Sequence, residues 1–212
     1  MRNIPVFTTE FGVASLVLKE IPYKKTAYIQ IQSSLMPEQL LKECVDFCRV
    51  VGAEKIYATG DPYFNQFPLY TQVLSMSVLK ENLPSTEAKA VPVDEEKASL
   101  WQEVYNRRMC HVDNAAYMCD ADVRQMLQKK DGYFVYDQNV LIGIGRAAEN
   151  QVFAVASEVP GRGKDTLLAL VSELHGERVC LEVASTNSRA IQLYKSLGFG
   201  EETVLFQWYK II

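Results

Sequence analysis

The chain has 212 residues, 48% of them hydrophobic and 10% aromatic, with a formal net charge of −4 and a pI near 5.3. That much apolar material buries a sizeable core and excludes a disordered chain, while the acidic balance excludes the concentrated basic face that nucleic-acid binding needs. No apolar run reaches the ~18–20 residues of a membrane span, so neither a membrane nor a nucleic acid is expected as a partner.

Five cysteines are an odd number without the spacing of a disulfide framework, and no signal peptide precedes them. The two histidines, His111 and His175, lack partners at zinc spacing, and no metal is expected. A soluble protein of the reducing cytoplasm is the expectation.

Residues 26–35 (TAYIQIQSSL) alternate apolar and polar, the period of a half-buried strand. Pro37 suits a first helical turn, and Leu40, Leu41, Cys44, Val45, Cys48 and Val51 form one apolar face of a helix over 37–51 that Gly52 stops. A short strand is expected over 55–58 and a turn at Gly60-Asp61-Pro62. Pro, Ser, Thr and charge concentrate in 83–89 (LPSTEAK), which sets a domain boundary there, giving residues 1–88 and 89–212.

The second segment alternates strands and helices: a strand over 90–93, a helix over 95–109 capped by Asp94, and a helix over 121–129 closed by Asp131-Gly132. Strands over 133–136, 140–146 and 152–157 follow, the first two joined through a turn at Asp137-Gln138-Asn139. A helix over 164–174, a strand over 179–184, a helix over 188–197 and a strand over 203–210 complete the chain, with Gly198 at the position past a helix that favours a left-handed backbone. The order predicts an α/β fold with a mixed sheet flanked by helices. The pairs Arg107-Arg108 and Lys129-Lys130 read as solvated helix surface. Gly52 to Tyr70 and Gly176 to Tyr194 are both eighteen residues apart, each segment ending in Leu-Tyr, a weak internal repeat.

The strongest local signal is Leu181-Glu182-Val183, then Asn187, Ala190, Leu193-Tyr194 and Gly198-Phe199. This run resembles the last motif of the GNAT (Gcn5-related N-acetyltransferase) superfamily, of the form Leu-x-Val, Asn, Ala-x-x-Leu-Tyr-x-x-x-Gly-Phe. The order of elements in 89–212 fits the same acyl-CoA N-acyltransferase fold, with residues 1–88 as an N-terminal partial α/β subdomain, a degenerate half of that fold if the repeat is real. The resemblance implies an N-acetyltransferase that moves an acetyl group from acetyl-CoA, without a metal, to a primary amine of a small molecule or peptide by direct attack. It implies Tyr194 as the acid that protonates the leaving thiolate; a phenol of pKa ~10 stays protonated at neutral pH. Asn187 would contact the CoA arm, and Val155 and Ser157 on the preceding strand would offer backbone amides to it.

The family's pyrophosphate loop, Arg/Gln-x-x-Gly-x-Gly/Ala, corresponds to Arg162-Gly163-Lys164-Asp165-Thr166-Leu167. Arg162 matches, but Asp165 replaces the first glycine and Leu167 the second. Asp165 opposes a pyrophosphate, Arg162 and Lys164 offset it, and Gly161 and Gly163 are left to supply the close approach. Because of that departure, a GNAT-like module that binds acyl-CoA without catalysis, or serves regulation, is the alternative. Glu149, Glu158 and Glu182 lie near the expected cleft and read as solvated carboxylates; none is assigned as the general base.

Overall fold

A computed structural model of the protein describes residues 4–113 and 115–212, the side chains of Glu201 and Glu202 excepted. The chain packs as two compact units, one formed by residues up to Gln72 together with Leu205–Ile212, the other by Val73–Val204.

The first unit begins with β1 (Val6–Thr9), β2 (Gly12–Val17), the single-turn helix α1 (Ile21–Lys24) and β3 (Thr26–Ser34). The three strands form an antiparallel meander. Helix α2 (Pro37–Val50) then crosses over to β4 (Lys55–Thr59), which runs parallel to β3. The expected alternation is present: Ala27, Ile29 and Ile31 are buried and pack with Leu40, Leu41, Cys44, Val45 and Cys48 of α2 in one core. Pro37 opens the helix, and Gly52 takes a φ of +97° to turn the chain into β4. The last two residues of the chain's final strand close this sheet, Tyr209 opposite Ala58 and Lys210 opposite Tyr57.

The second unit contains most of β5 (Leu69–Leu79), then β6 (Lys89–Pro92), α3 (Ala98–Met109), α4 (Asp120–Lys129), β7 (Gly132–Asp137), β8 (Val140–Ala148) and β9 (Gln151–Ser157). It continues through α5 (Gly163–Ser172), β10 (Arg178–Ala184), α6 (Ser188–Ser196) and the start of β11 (Gly200–Lys210). Its strands lie in the order β5-β10-β9-β8-β7-β6, with β9 and β10 the parallel pair. Leu167, Leu170, Val171 and Leu174 of α5 and its following turn pack with Val135, Ile142, Val152, Val179 and Leu181. Trp101, Val104, Val123 and Met126 of α3 and α4 share a separate core with Phe134, Ile144 and Ala156. On β7 the adjacent residues Phe134 and Val135 enter different cores, as a sheet covered by helices on both faces requires. The register shifts in β8 and β9 let Ile142 and Ile144, and Val152 and Ala156, do the same although each pair is an even number of residues apart.

Several local expectations shift. Helix α3 starts at Ala98 because the Asp94 carboxylate accepts from the Lys97 amide at 2.8 Å, capping a turn ahead of the helix. Helix α4 ends on Lys130 at φ +54°, so that Asp131-Gly132 already belongs to the entry into β7. The β7–β8 turn has φ of +47° at Gln138 and +67° at Asn139, the mirror-image turn that suits strand twist. Segment 83–89 packs into the second unit: Ala88 is buried in its core, and just before it Lys80 Nζ donates to the Leu174 carbonyl at 2.6 Å. The units themselves divide inside β5 and β11.

The repeat exists, but at the level of topology. The succession β1–β2–β3–α2–β4 matches β7–β8–β9–α5–β10: three antiparallel strands, a crossover helix, and a parallel strand. Gly52 and Gly176 both take positive φ before that last strand. The Leu-Tyr match does not persist, since Leu69-Tyr70 opens a strand and Leu193-Tyr194 lies in a helix. The strand that follows each copy pairs with the last strand of the other copy, β5 with β10 and β11 with β4.

Candidate active site

Strand β9 is paired to β8 up to Ser157, and β10 to β5 along its whole length. Between themselves, β9 and β10 pair only at Gln151–Cys180 and Val152–Leu181. The register against β8 shifts just there: Arg146 faces Ala154 while Ala147 faces Val152, leaving Phe153 as an extra residue. A bulge of this kind bends its strand and increases the local twist, and it turns β9 away from β10 one residue after their last pairing. The result is a wedge whose walls are backbone edges, 153–157 on one side and 182–184 on the other. In the first unit, β3 and β4 stay paired from Thr26–Lys55 to Gln30–Thr59, because the bulge at Gln32 comes after the paired stretch. Among the described residues of that unit, β3 and β4 show no such opening.

Helix α5 begins at the carboxyl end of β9. Arg162 precedes it without capping it, and the first intrahelical bond runs from the Thr166 amide to the Arg162 carbonyl. By helical geometry the amides of Gly163, Lys164 and Asp165 have no intrahelical acceptor, which together with the helix dipole favours an anion. A Cβ on Gly163 would stand 3.4 Å from the Leu193 side chain, so the loop reaches α6 with no bulk between them. Thr166 and Leu167 are fully buried; the Thr166 hydroxyl donates back to Arg162 and Leu167 packs in the core. Both side chains are turned into the protein. Ser157 is likewise committed, its hydroxyl donating to the Val159 carbonyl at 2.6 Å.

Asp165 does not confront the loop as a bare charge. Its carboxylate lies 2.9 Å from Arg162 Nε and accepts from the Thr86 hydroxyl at 3.3 Å. A guanidinium N–H of Arg162 donates to Asp137, a residue of the hairpin turn that no local sequence signal connects with the loop. Lys164 is exposed.

Tyr194 stands on α6, half-buried, and packs in the same core as Val155, Leu193 and Leu167. Its ring lies 5.8 Å from that of Phe199, which Gly198, at φ +87°, brings back against the helix. Burial pushes the phenol up to about 12. Among the described residues its hydroxyl has no hydrogen-bond partner. Asn187 caps α6, its side-chain oxygen accepting from the Ala190 amide at 3.2 Å. The amide group at the other end of that side chain remains to donate.

The last turn of α3 and its connection to α4 touch the ends of the two wedge strands. Arg107 and Arg108, read as solvated surface, instead grip Glu158 just after β9 at 2.7 and 2.6 Å. Burial raises the Glu158 carboxyl, and the hydrogen bonds and charges of Arg108 and Arg107 outweigh it and hold it below the usual range. A carboxylate so held is a poor general base. Asp113 accepts from Thr186, just after β10, at 2.7 Å. Glu149 sits in the turn between β8 and β9, at the opposite end of β9 from the loop.

No family profile matches the sequence, and no curated protein is similar to it in sequence. Solved structures are similar in fold. A proposed acetyltransferase from Pyrococcus horikoshii has a TM-score of 0.62 at 12% identity, over 95% of this chain and 69% of that one. A GCN5-related N-acetyltransferase from Kribbella flavida has 0.59 at 8%, over 96% of this chain and 58% of the other. A tandem GNAT protein from the clavulanic acid biosynthesis pathway has 0.51 at 13%, over 94% and 79%. With the mixed sheet, the helices on both faces and the wedge between the parallel strands β9 and β10, the chain has the GNAT fold.

Proposed function

We propose that the protein is an N-acetyltransferase that moves an acetyl group from acetyl-CoA to a primary amine of a small molecule or peptide by direct attack on the thioester. The observation that carries this reading is the wedge between β9 and β10, flanked by the uncapped start of α5 and by Tyr194. The free backbone edges, Val155 and Ser157 included, suit the amides of a pantetheine arm, and the amides of Gly163, Lys164 and Asp165 suit its phosphates. Acetyl-CoA supplies the activated acyl carbon; the amine nitrogen bonds to it as the carbon–sulfur bond breaks. Tyr194 gives its proton to the departing thiolate, and the raised affinity of the buried phenol for that proton keeps it loaded at neutral pH. Water takes the proton lost by the amine and returns one to the Tyr194 phenolate, which restores the acid for the next turnover. Five free cysteines fit a reducing, cytoplasmic setting.

Calorimetric titration with acetyl-CoA is expected to show one site per chain; absence of heat at about 1 mM, the upper end of ordinary substrate affinities, rejects the reading. Replacing Tyr194→Phe is expected to lower turnover about 10²-fold while leaving that binding intact. Engagement of Arg162 by Asp137 and Asp165 favours a second reading, an acyl-CoA-binding module without turnover. Binding with no acetyl transfer to any of a panel of amines would select it.

A further inference from the structure

We propose that Arg162 is a positioning residue, withdrawn from the phosphates into a carboxylate–guanidinium–carboxylate cross-link with Asp137 and Asp165, and that Lys164 is the side chain that meets the donor's phosphate charge. The inference rests on the acetyl-CoA reading above and specifies how its loop works. Arginine offers five N–H donors in a fixed fork. Here Nη2 is spent on Asp137, and Nε is buried with Asp165 Oδ2 at 2.9 Å, off the angle of a good hydrogen bond. The guanidinium thereby ties the turn ahead of α5 both to the β7–β8 hairpin and to the helix's own first turn. Thr86 adds a third anchor, donating to the other Asp165 oxygen.

Charge follows from this geometry. Two carboxylates and one guanidinium leave the cluster at −1, and a further anion gains little from an arginine already paired twice. Lys164 lies between Gly163 and Asp165, at the second of the three uncapped amides, exposed and outside every ion pair among the described residues. An ammonium on a flexible stem suits a phosphate as a point charge. Asp165, an apparent obstacle in the sequence, becomes an anchor that faces away from the anion.

The test pairs melting of the ligand-free protein with calorimetry using CoA. Arg162→Gln and Asp137→Asn are each expected to lower Tm by about 4 °C or more, and the double variant to melt close to the lower single one, because both remove one cross-link. Lys164→Gln is expected to leave Tm within ~1 °C, to weaken CoA by about tenfold and to flatten the dependence of its affinity on salt. Unchanged melting in Arg162→Gln with a loss of CoA affinity and salt dependence larger than in Lys164→Gln would overturn the proposal, as would additive Tm losses. If the wild-type protein gives no heat with CoA, the acetyl-CoA reading and the Lys164 assignment both fall, while the melting data still decide the cross-link.

Discussion

Asp131 and Arg146 show how much one side chain can carry. Asp131 is almost wholly buried at the entry to β7, and Arg146 donates to both of its oxygens, Nε at 3.0 Å and Nη2 at 2.6 Å. Removing one member of such a pair leaves the other charge in a site built for two. Asp131→Ala is therefore expected to cost about 3 kcal/mol, read from the midpoint of urea unfolding. Cys44 and Cys48 give a pH signature. Burial pushes Cys48 up to about 11, and burial, with Cys48 and Glu43 nearby, pushes Cys44 up to about 12, from an ordinary 9.0. The folded protein keeps protons that the unfolded chain releases above about pH 9, so this stability is fully present below pH 9 and is lost as pH rises toward 11 and 12. A urea midpoint clearly lower at pH 10 than at pH 8, with a smaller drop in a Cys44→Val, Cys48→Val double variant, is the expected result. Iodoacetamide is expected to label the exposed Cys110 first and these two last.

Among the elements, α5 lies close against β8. A Cβ on Gly143 would fall 2.6 Å from the Thr166 side chain, and one on Gly145 would fall 2.2 Å from Leu170 and 2.6 Å from the Ala154 carbonyl. The flexible end of Leu170 can yield; the carbonyl of the neighbouring strand cannot. Gly145→Ala is expected to cost about 1–3 kcal/mol and, by lifting α5, to weaken donor binding as well, both measurable by melting with and without acetyl-CoA. The alternation of 26–35, the apolar face expected over 37–51, from which only Val51 drops out as an exposed residue past the end of α2, and the Asn187, Tyr194, Gly198 spacing each stated their element plainly. The edge strand β1, its neighbour β2 and the strand β5 went unread, although Leu74, Met76 and Val78 of β5 alternate with Ser75 and Ser77.

At the scale of the molecule, β5 decides what can be removed. It pairs along β10 from Val73–Ala184 to Leu79–Arg178, and Met76, fully buried, sits in the core of the second unit. The fragment 89–212 lacks that strand, leaving β10 with an open, apolar edge. It is expected to be insoluble or to melt far below the whole protein, whereas a fragment beginning at Leu69 restores the pairing; circular dichroism and solubility of the two fragments check this.

Sequence alone determined the properties that local chemistry controls. Side-chain period set strands and helices, Gly198 and Pro37 set their ends, and the last motif announced the GNAT fold. Tertiary structure decided what depends on residues distant in the chain. It supplied the crossed pairing of β5 with β10 and of β11 with β4, and the Phe153 bulge that opens one parallel pair and not its counterpart. It also joined Asp137 to Arg162, and Arg107 and Arg108 to Glu158. The reason is physical: periodicity is written within a few residues, whereas pairing partners and charge neighbours are chosen by packing, which no short window of sequence records.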